Sequence, residues 1–297
     1  MADMPLIVDV KRHSLEDGPG IRSVAFFKGC PLRCIFCQNQ EAQDPRAEIA
    51  FSARECVACG GCVDACVSGA IDPESSLRVR RGRCKRCGEC ARACPGGALR
   101  LVGTYYPPEA LAEILLRDTS FYRHSGGGVT LSGGECTLYP DYLQALLRIL
   151  KVKAVSVVVE TCGDFDWAGF EDKVLPYVDL IYYDLKFADP RRHLAYTGKS
   201  NRRILRNFRR LVARGADVRP RVPIVPGVTA TPENLAGIVD FLCDAGAAEV
   251  SLLPYNPLGF HMAEELGKSR PALPERFMSA EEEQEVDELV RGILGAR

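Results

Sequence analysis

The sequence predicts an α/β fold, a parallel sheet covered by helices, interrupted toward its amino-terminal side by a small segment organised around metal. Apolar, partly β-branched strands alternate with amphipathic helices from about residue 128 onward. Eleven of the fourteen cysteines fall into three tight groups, Cys30/34/37, Cys56/59/62/66 and Cys84/87/90/94. The segment from about Phe51 to Val102 holds eight of these, with many small residues and no long amphipathic period, as in a domain folded around metal.

The elements follow in order. Ile21–Phe27 reads as a short strand that delivers Lys28-Gly29-Cys30 into a loop. Beyond the cysteine-rich segment, Gly128–Ser132 reads as a strand, Tyr139–Leu150 as a helix, and Ala154–Glu160 and Asp179–Leu185 as strands. Arg202–Arg214 then reads as a helix, Asp217–Val225 as a strand, Thr231–Ala245 as a helix and Glu249–Pro254 as a strand. Near-continuous apolar strands imply a parallel sheet, and in such sheets the site lies at the carboxyl ends. Ser132–Glu135, Glu160–Gly163, Asp184–Lys186, Pro226–Gly227 and Pro254–Asn256 all stand at those ends. One Gly-Gly or one Asp-x-Lys is usually a turn or a solvated pair. Five together, beside a three-thiol loop, point to a site.

The chain has 297 residues, 46% hydrophobic and 26% charged, enough to bury a full core. Met1–Val10 carries Asp3 and Pro5 where a secretory leader needs a basic flank and an apolar run, and nothing approaches the ~18 apolar residues of a membrane span. A cytoplasmic protein with reduced thiols is expected, so clustered cysteines mean metal before disulfides. A net charge of −1 predicts neither nucleic acid nor membrane as partner. The basic runs at Arg80–Arg83 and Arg202–Arg210 read as solvated faces, with docking of an acidic partner as the alternative.

The cysteine groups are unequal. A cubic iron–sulfur cluster has four irons, so a three-cysteine loop leaves one iron open to a ligand and a four-cysteine run can close every corner. One site is built for chemistry and two for supply. A zinc site completed by His13, and a pair of zinc knuckles, are the alternatives. Crowding of four thiols within eleven residues, twice, disfavours knuckles. Cys136, Cys162 and Cys243 read as packing residues, the last on an apolar helix face.

Both four-cysteine runs resemble the C-x2-C-x2-C-x3-C pattern of bacterial ferredoxins, and the second ends Cys94-Pro95 as that pattern does, whereas Cys66 is followed by Val67. Because the fourth cysteine crosses to the other cluster in that family, the resemblance implies Cys56, Cys59, Cys62 and Cys94 on one cubane and Cys84, Cys87, Cys90 and Cys66 on the other. The loop Cys30-x3-Cys34-x-Phe36-Cys37 resembles the signature of radical S-adenosylmethionine enzymes. There the open iron is chelated by the amine and carboxylate of the ligand, and one electron releases a 5′-deoxyadenosyl radical.

His13-Ser-Leu-Glu-Asp17-Gly18-Pro-Gly-Ile-Arg22, Gly128–Glu135, Glu160–Gly163, Tyr183–Lys186, Arg221–Gly227 and Leu252–Tyr255, in this order, resemble the glycyl radical enzyme activating enzymes. The resemblance implies a partial (β/α)6 radical-SAM barrel in residues 1–50 and 103–297, with a ferredoxin-like 2[4Fe-4S] domain inserted at 51–102. It implies an oxidoreductase that abstracts hydrogen from a backbone glycine of a partner enzyme. Three 4Fe-4S clusters are implied, one binding S-adenosylmethionine through Cys30, Cys34 and Cys37 and two auxiliary, together with a flavodoxin or ferredoxin donor and a chain that is a monomer when free. Gly133, Gly134 and Glu135 would hold the methionyl amine, and Lys186 and Arg221 the methionyl carboxylate or ribose. Glu160 and Asp184 would lie by the ligand and can hold a monovalent cation, Phe36 and Asn256 would contact the cofactor, and Asp17 and Gly18 the partner's glycine loop. Asn256 stands where members often carry histidine, and Cys136 where proline is common. A radical S-adenosylmethionine enzyme acting on a small molecule or peptide shares every cluster residue and is the alternative, ahead of a simple electron carrier.

Overall fold

The computed structural model describes residues 4–247, 249–270 and 272–295. Its ten strands are β1 (Leu6–Ser14), β2 (Arg22–Phe27), β3 (Glu48–Phe51), β4 (Leu99–Val102), β5 (Thr104–Tyr105), β6 (Gly128–Gly133), β7 (Ser156–Thr161), β8 (Leu180–Asp184), β9 (Val218–Ile224) and β10 (Ser251–Pro254). One eight-stranded sheet runs β10-β9-β8-β7-β6-β2-β1-β5, and β3 pairs with β4 in a separate antiparallel ribbon. From β2 through β6 to β10 every pairing is parallel. These six are the strands expected from the sequence, each within a few residues of its expected ends.

Alternation along the strands gives the sheet two unlike faces. Val129, Leu131, Val157, Val159, Ile181, Val222 and Ile224 join the main core. The helix Pro140–Val152 lies against them, burying Tyr142, Leu143, Leu146, Leu147 and Leu150 at helical spacing. Each such leucine contributes roughly 1.5–3 kcal/mol on leaving water. The other face carries Thr130 and Ser132, Glu160, Tyr182 and Asp184, and Arg221, and it is unusually polar for a buried sheet.

Helix boundaries are set by local chemistry. Asp189 caps Pro190–Thr197 by accepting from the amides of Arg191 and Arg192 at 2.9 and 2.8 Å, and left-handed Gly198 ends it. In the helix Pro232–Asp244 the buried side is Leu235, Ile238, Val239 and Leu242. Cys243 is exposed, correcting its expected core position: one residue past Leu242 turns about 100° away from the buried face.

Four antiparallel strands, β1, β3, β4 and β5, were not foreseen. β1 pairs with β2 through two register irregularities, and β5 extends the edge with two residues. The β3–β4 ribbon roots the cysteine-rich segment, whose small core contains Ile49, Phe51, Ile71, Val79, Cys90 and Leu99. Its halves repeat one backbone path: Ala58 and Arg86, Gly60 and Gly88, and Gly69 and Gly97 are all left-handed at matching positions. Arg81 is not the solvated charge expected, because its guanidinium reaches the carbonyls of Ile49 and Glu265.

Candidate functional site

The cysteine loop leaves the carboxyl end of β2 and is strapped down along its length. Gly29 donates to Ala42 O at 2.7 Å, Cys30 to Gln43 O at 3.1 Å, Arg33 to Thr197 O at 2.7 Å and Ile35 to Tyr196 O at 3.1 Å. Phe36 is buried with its ring 6.4 Å from that of Phe187, a wall behind the loop. Burial, with repulsion from Cys30, pushes the Cys37 thiol up to about 11, and burial also pushes Cys34 up. A hydrogen bond from Cys162 holds Cys30 below its ordinary value. Buried thiols whose anions repel one another form a donor set suited to a cationic centre. His13 is not near them. It lies at the far end of β1, 3.2 Å from Asp118 and edge-on to Phe121, so it completes no zinc site with this loop.

Gly133–Glu135 locks onto the loop. Gly134 donates to Phe27 O at 2.8 Å and Glu135 to Gly29 O at 2.7 Å. A Cβ on Gly134 would stand 2.3 Å from Gly29 O, and Gly133 is left-handed with Phe27 N 2.3 Å from where its Cβ would be. The Glu135 carboxylate turns inward, fully enclosed, and accepts from Thr137 Oγ1 at 2.6 Å, Thr161 Oγ1 at 2.8 Å and Cys162 N at 2.7 Å. Burial raises its pKa against these donors. Of the two threonines that fix this carboxylate, Thr161 lies within the Glu160–Gly163 motif without a role expected for it, and Thr137 carried no sequence signal.

Across the inner face a charged quartet joins three strands. Arg221 donates to Glu160 Oε1 at 2.6 Å and to Asp184 Oδ1 at 3.0 and 2.9 Å, over the Tyr182 ring at 4.7 Å. Ser132 donates to Glu160 Oε2 at 2.6 Å, and Lys186 lies 3.3 Å from Asp184 Oδ2. Burial raises Glu160, whereas for Asp184 the opposing pull of Arg221 and Lys186 outweighs burial and lowers it. Burial would lower Lys186, but Asp184 and the thiols of Cys34, Cys162 and Cys30 raise it, so this ammonium stands between the acidic pair and the cysteine loop. Lys186 and Arg221, expected to serve a ligand, are thus engaged by Asp184 and Glu160.

The remaining expected residues divide. Asn256 turns its carbonyl oxygen back to Leu258 N at 2.9 Å, and Gly259 beside it packs against Cys37 O. Pro226 and Gly227 form a turn closed on itself by Val228 N to Val225 O. Asp17 and Gly18 lie at the opposite, amino end of the strands, the six-residue length of β2 or roughly 17 Å from the cysteine loop. Thr130 Oγ1 donates to Asp17 O at 2.7 Å, and beneath the turn Arg22 is fully buried, its guanidinium spent on Thr130 Oγ1 and the carbonyls of Val129, Ser156 and Pro19. Burial lowers Arg22 to about 10. Cys136 is buried against Leu131 O, as a packing residue would be.

In the cysteine-rich segment a cavity of about 250 Å³ is bordered by Cys56, Cys59, Cys62 and Cys94, with Phe51 and Arg78 in its wall. The other four thiols sense one another: burial and then Cys84, Cys66 and Cys87 push Cys90 up to about 11. Cys66 accepts from Ala70 N at 3.2 Å, and Cys84 from Arg86 N at 3.4 Å. Among the described residues no three His, Cys, Asp or Glu side chains converge on a point that would hold a single metal ion.

The radical SAM superfamily matches residues 82–242, and a 4Fe-4S single cluster domain matches residues 16–70. The chain is 40% identical to the trans-4-hydroxy-L-proline dehydratase activating enzyme of Clostridioides difficile, over 89% of this chain and 88% of that protein. It is 37% identical to the benzylsuccinate synthase activating enzyme of Thauera aromatica, over 82% and 76%, and 34% identical to the pyruvate formate-lyase 2-activating enzyme of Escherichia coli, over 90% and 82%. Among solved structures, SuiB of Streptococcus suis bound to precursor peptide SuiA shares the fold, with a TM-score of 0.56 at 14% identity; the match covers 90% of this chain but 44% of that one. The three-thiol loop, the parallel sheet and this likeness along almost the full length agree: the chain belongs to the glycyl radical enzyme activating enzymes of the radical SAM superfamily.

Proposed function

We propose that the cysteine-loop end of the inner face binds S-adenosylmethionine beside a 4Fe-4S cluster on Cys30, Cys34 and Cys37, and that the radical is passed to a backbone glycine of a partner glycyl radical enzyme. The bound cluster supplies one-electron cleavage of the sulfonium. The chain's own residues bind, orient and exclude water. The observation that carries this reading is the locking of Gly133–Glu135 onto the three-thiol loop.

Because the Glu135 carboxylate is held by Thr137, Thr161 and Cys162, a ligand amine meets the backbone carbonyls of this turn rather than that side chain. Arg221 bridges Glu160 and Asp184, so a monovalent cation between these carboxylates would have to displace the guanidinium. Lys186, held at 3.3 Å by one Asp184 oxygen, keeps donors for a ligand carboxylate. Phe36 backs the loop and Asn256 offers its amide N–H groups at the rim. The six parallel strands fit a partial (β/α)6 barrel whose polar inner face leads from the cysteines to Asp17 and Gly18, the reading for entry of the glycine loop.

Residues 51–102 are read as the two-cluster insertion. A cavity bordered by three cysteines of the first run and the last of the second suits a cubane on Cys56, Cys59, Cys62 and Cys94, with its twin on Cys66, Cys84, Cys87 and Cys90. They relay electrons from a flavodoxin or ferredoxin.

The test is anaerobic reconstitution with iron and sulfide, then dithionite, S-adenosylmethionine and each of a panel of glycyl radical enzymes. A glycyl doublet in the paramagnetic resonance spectrum with deoxyadenosine release is expected for one partner. Deoxyadenosine release without a doublet from any partner would favour a small-molecule or peptide substrate. About twelve irons per chain are expected, and about four would remove the insertion clusters. Unchanged turnover of Cys59→Ala with a flavodoxin donor would remove the relay.

A further inference from the structure

The two cysteine sets of the insertion share a backbone path but not what surrounds their sulfurs. Around the second set the donors are neutral: the Ala70 amide and Ser68 hydroxyl on Cys66, and the Arg86 amide on Cys84. Arg81, whose charge reaches Cys84, aims Nη1 and Nη2 at the carbonyls of Ile49 and Glu265, with Nε buried and without a partner among the described residues. Around the first set, Arg78 Nη2 lies 3.4 Å from Cys56 Sγ and its guanidinium forms part of the wall of the same cavity. Its charge is felt at Cys62 too, where it opposes the upward push of burial.

Arg78 is built into this place. Its φ of 56° is left-handed, unusual for a residue with a long side chain. Nη1 donates to Pro73 O at 2.9 Å, the guanidinium stacks 5.0 Å over the Phe51 ring, and Nε is buried without a partner among the described residues. A strained backbone and an unpaired buried N–H both cost stability, which a solvated arginine would not incur.

We propose that Arg78 raises the reduction potential of the cluster on Cys56, Cys59, Cys62 and Cys94 above that of its twin; this rests on the reading that each cysteine set holds a four-iron cluster. Reduction adds one electron and one negative charge, and no bond is made or broken. A fixed cation and an N–H···S hydrogen bond stabilise the reduced form more than the oxidised one. Of two centres matched in backbone and ligands, the one beside Arg78 therefore fills first. Arg78 acts through Cys56 and is a positioning residue for charge.

The test is a potentiometric titration followed by electron paramagnetic resonance, on the full chain with Cys30, Cys34 and Cys37 replaced by alanine so that only the insertion's iron reports. Arg78→Gln should lower one midpoint about tenfold in the one-electron equilibrium, 59 mV, leaving the other midpoint and the iron content unchanged. Arg78→Lys should lower the same midpoint by less. Should Arg78→Gln lose iron, Arg78→Lys decides by the same criterion. Midpoints that stay put, or that move together, overturn the proposal while about eight irons per chain leave the two-cluster reading standing. About four irons in the parent chain overturn that reading and the proposal with it.

Discussion

The amide hydrogen of Glu135 donates to the carbonyl oxygen of Gly29 at 2.7 Å, so the turn after β6 and the first residue before the cysteine loop are one structural unit. Gly134 between them makes the closeness possible, since a methyl there would lie 2.3 Å from Gly29 O and 2.5 Å from Ala42 O. Gly134→Ala should displace the loop by a fraction of an ångström to an ångström and reduce deoxyadenosine release about a hundredfold. The insertion's iron, measured in parallel, should remain; full activity in this variant would show that the contact is dispensable.

Arg221→Gln leaves Glu160 and Asp184 buried with no guanidinium between them. Removing one partner of a buried charged set costs about 3–5 kcal/mol. The expected result is a large fall in melting temperature together with weakened S-adenosylmethionine binding, followed anaerobically by calorimetry. Wild-type stability would mean that the carboxylates find other counter-charges.

Asp118 is enclosed and accepts from Arg12, Ser23 and His13. The hydrogen bond from Arg12, above all, lowers its pKa from 3.8 to about 2. A depressed carboxyl pKa contributes stability that is fully present above 3.8 and lost as pH falls toward 2, on the order of 2 kcal/mol here. Asp118→Asn should therefore lower the melting temperature by the same amount at pH 8 and pH 5. A gap that differs between the two pH values would assign the stabilisation to another group.

Cysteine substitutions should separate ligands from packing. Cys94→Ala should lose about four irons although it belongs to the second run, because its thiol borders the cavity of the first. Cys162→Ala and Cys243→Ala should retain all iron, the one enclosed beside Cys30 and the other exposed on its helix. Iron lost on replacing Cys162 would make it a ligand.

The six parallel strands were legible because runs such as Val157-Val158-Val159 leave few other conformations and because Gly, Pro and charged residues punctuate their ends. β1 was not, since Lys11, Arg12 and His13 are half-exposed and the strand is broken by bulges, which hides its alternation. Residue types at the site were legible, but directions were not. Nothing in Gly-Gly-Glu tells that the carboxylate of Glu135 faces threonines, and nothing in two separate motifs tells that Arg221 and Glu160 lie at hydrogen-bond distance. Such facts depend on which strand neighbours which. Tyr182 had one usable signal, its place two residues before Asp184 on the same face.

Lys28, directly before the cysteine loop, is fully buried with its ammonium 2.7 Å from Glu48 and bonded also to the Glu41 carbonyl. Gly103 lies so close to its aliphatic stem that a Cβ there would be 2.7 Å away. Entrance and exit of the cysteine-rich segment are therefore clasped by one side chain at the end of β2. A chimera exchanging residues 51–102 between relatives leaves this clasp whole, whereas a junction drawn between Lys28 and Glu48 must take both from one parent, or leave a buried ammonium with no counter-charge.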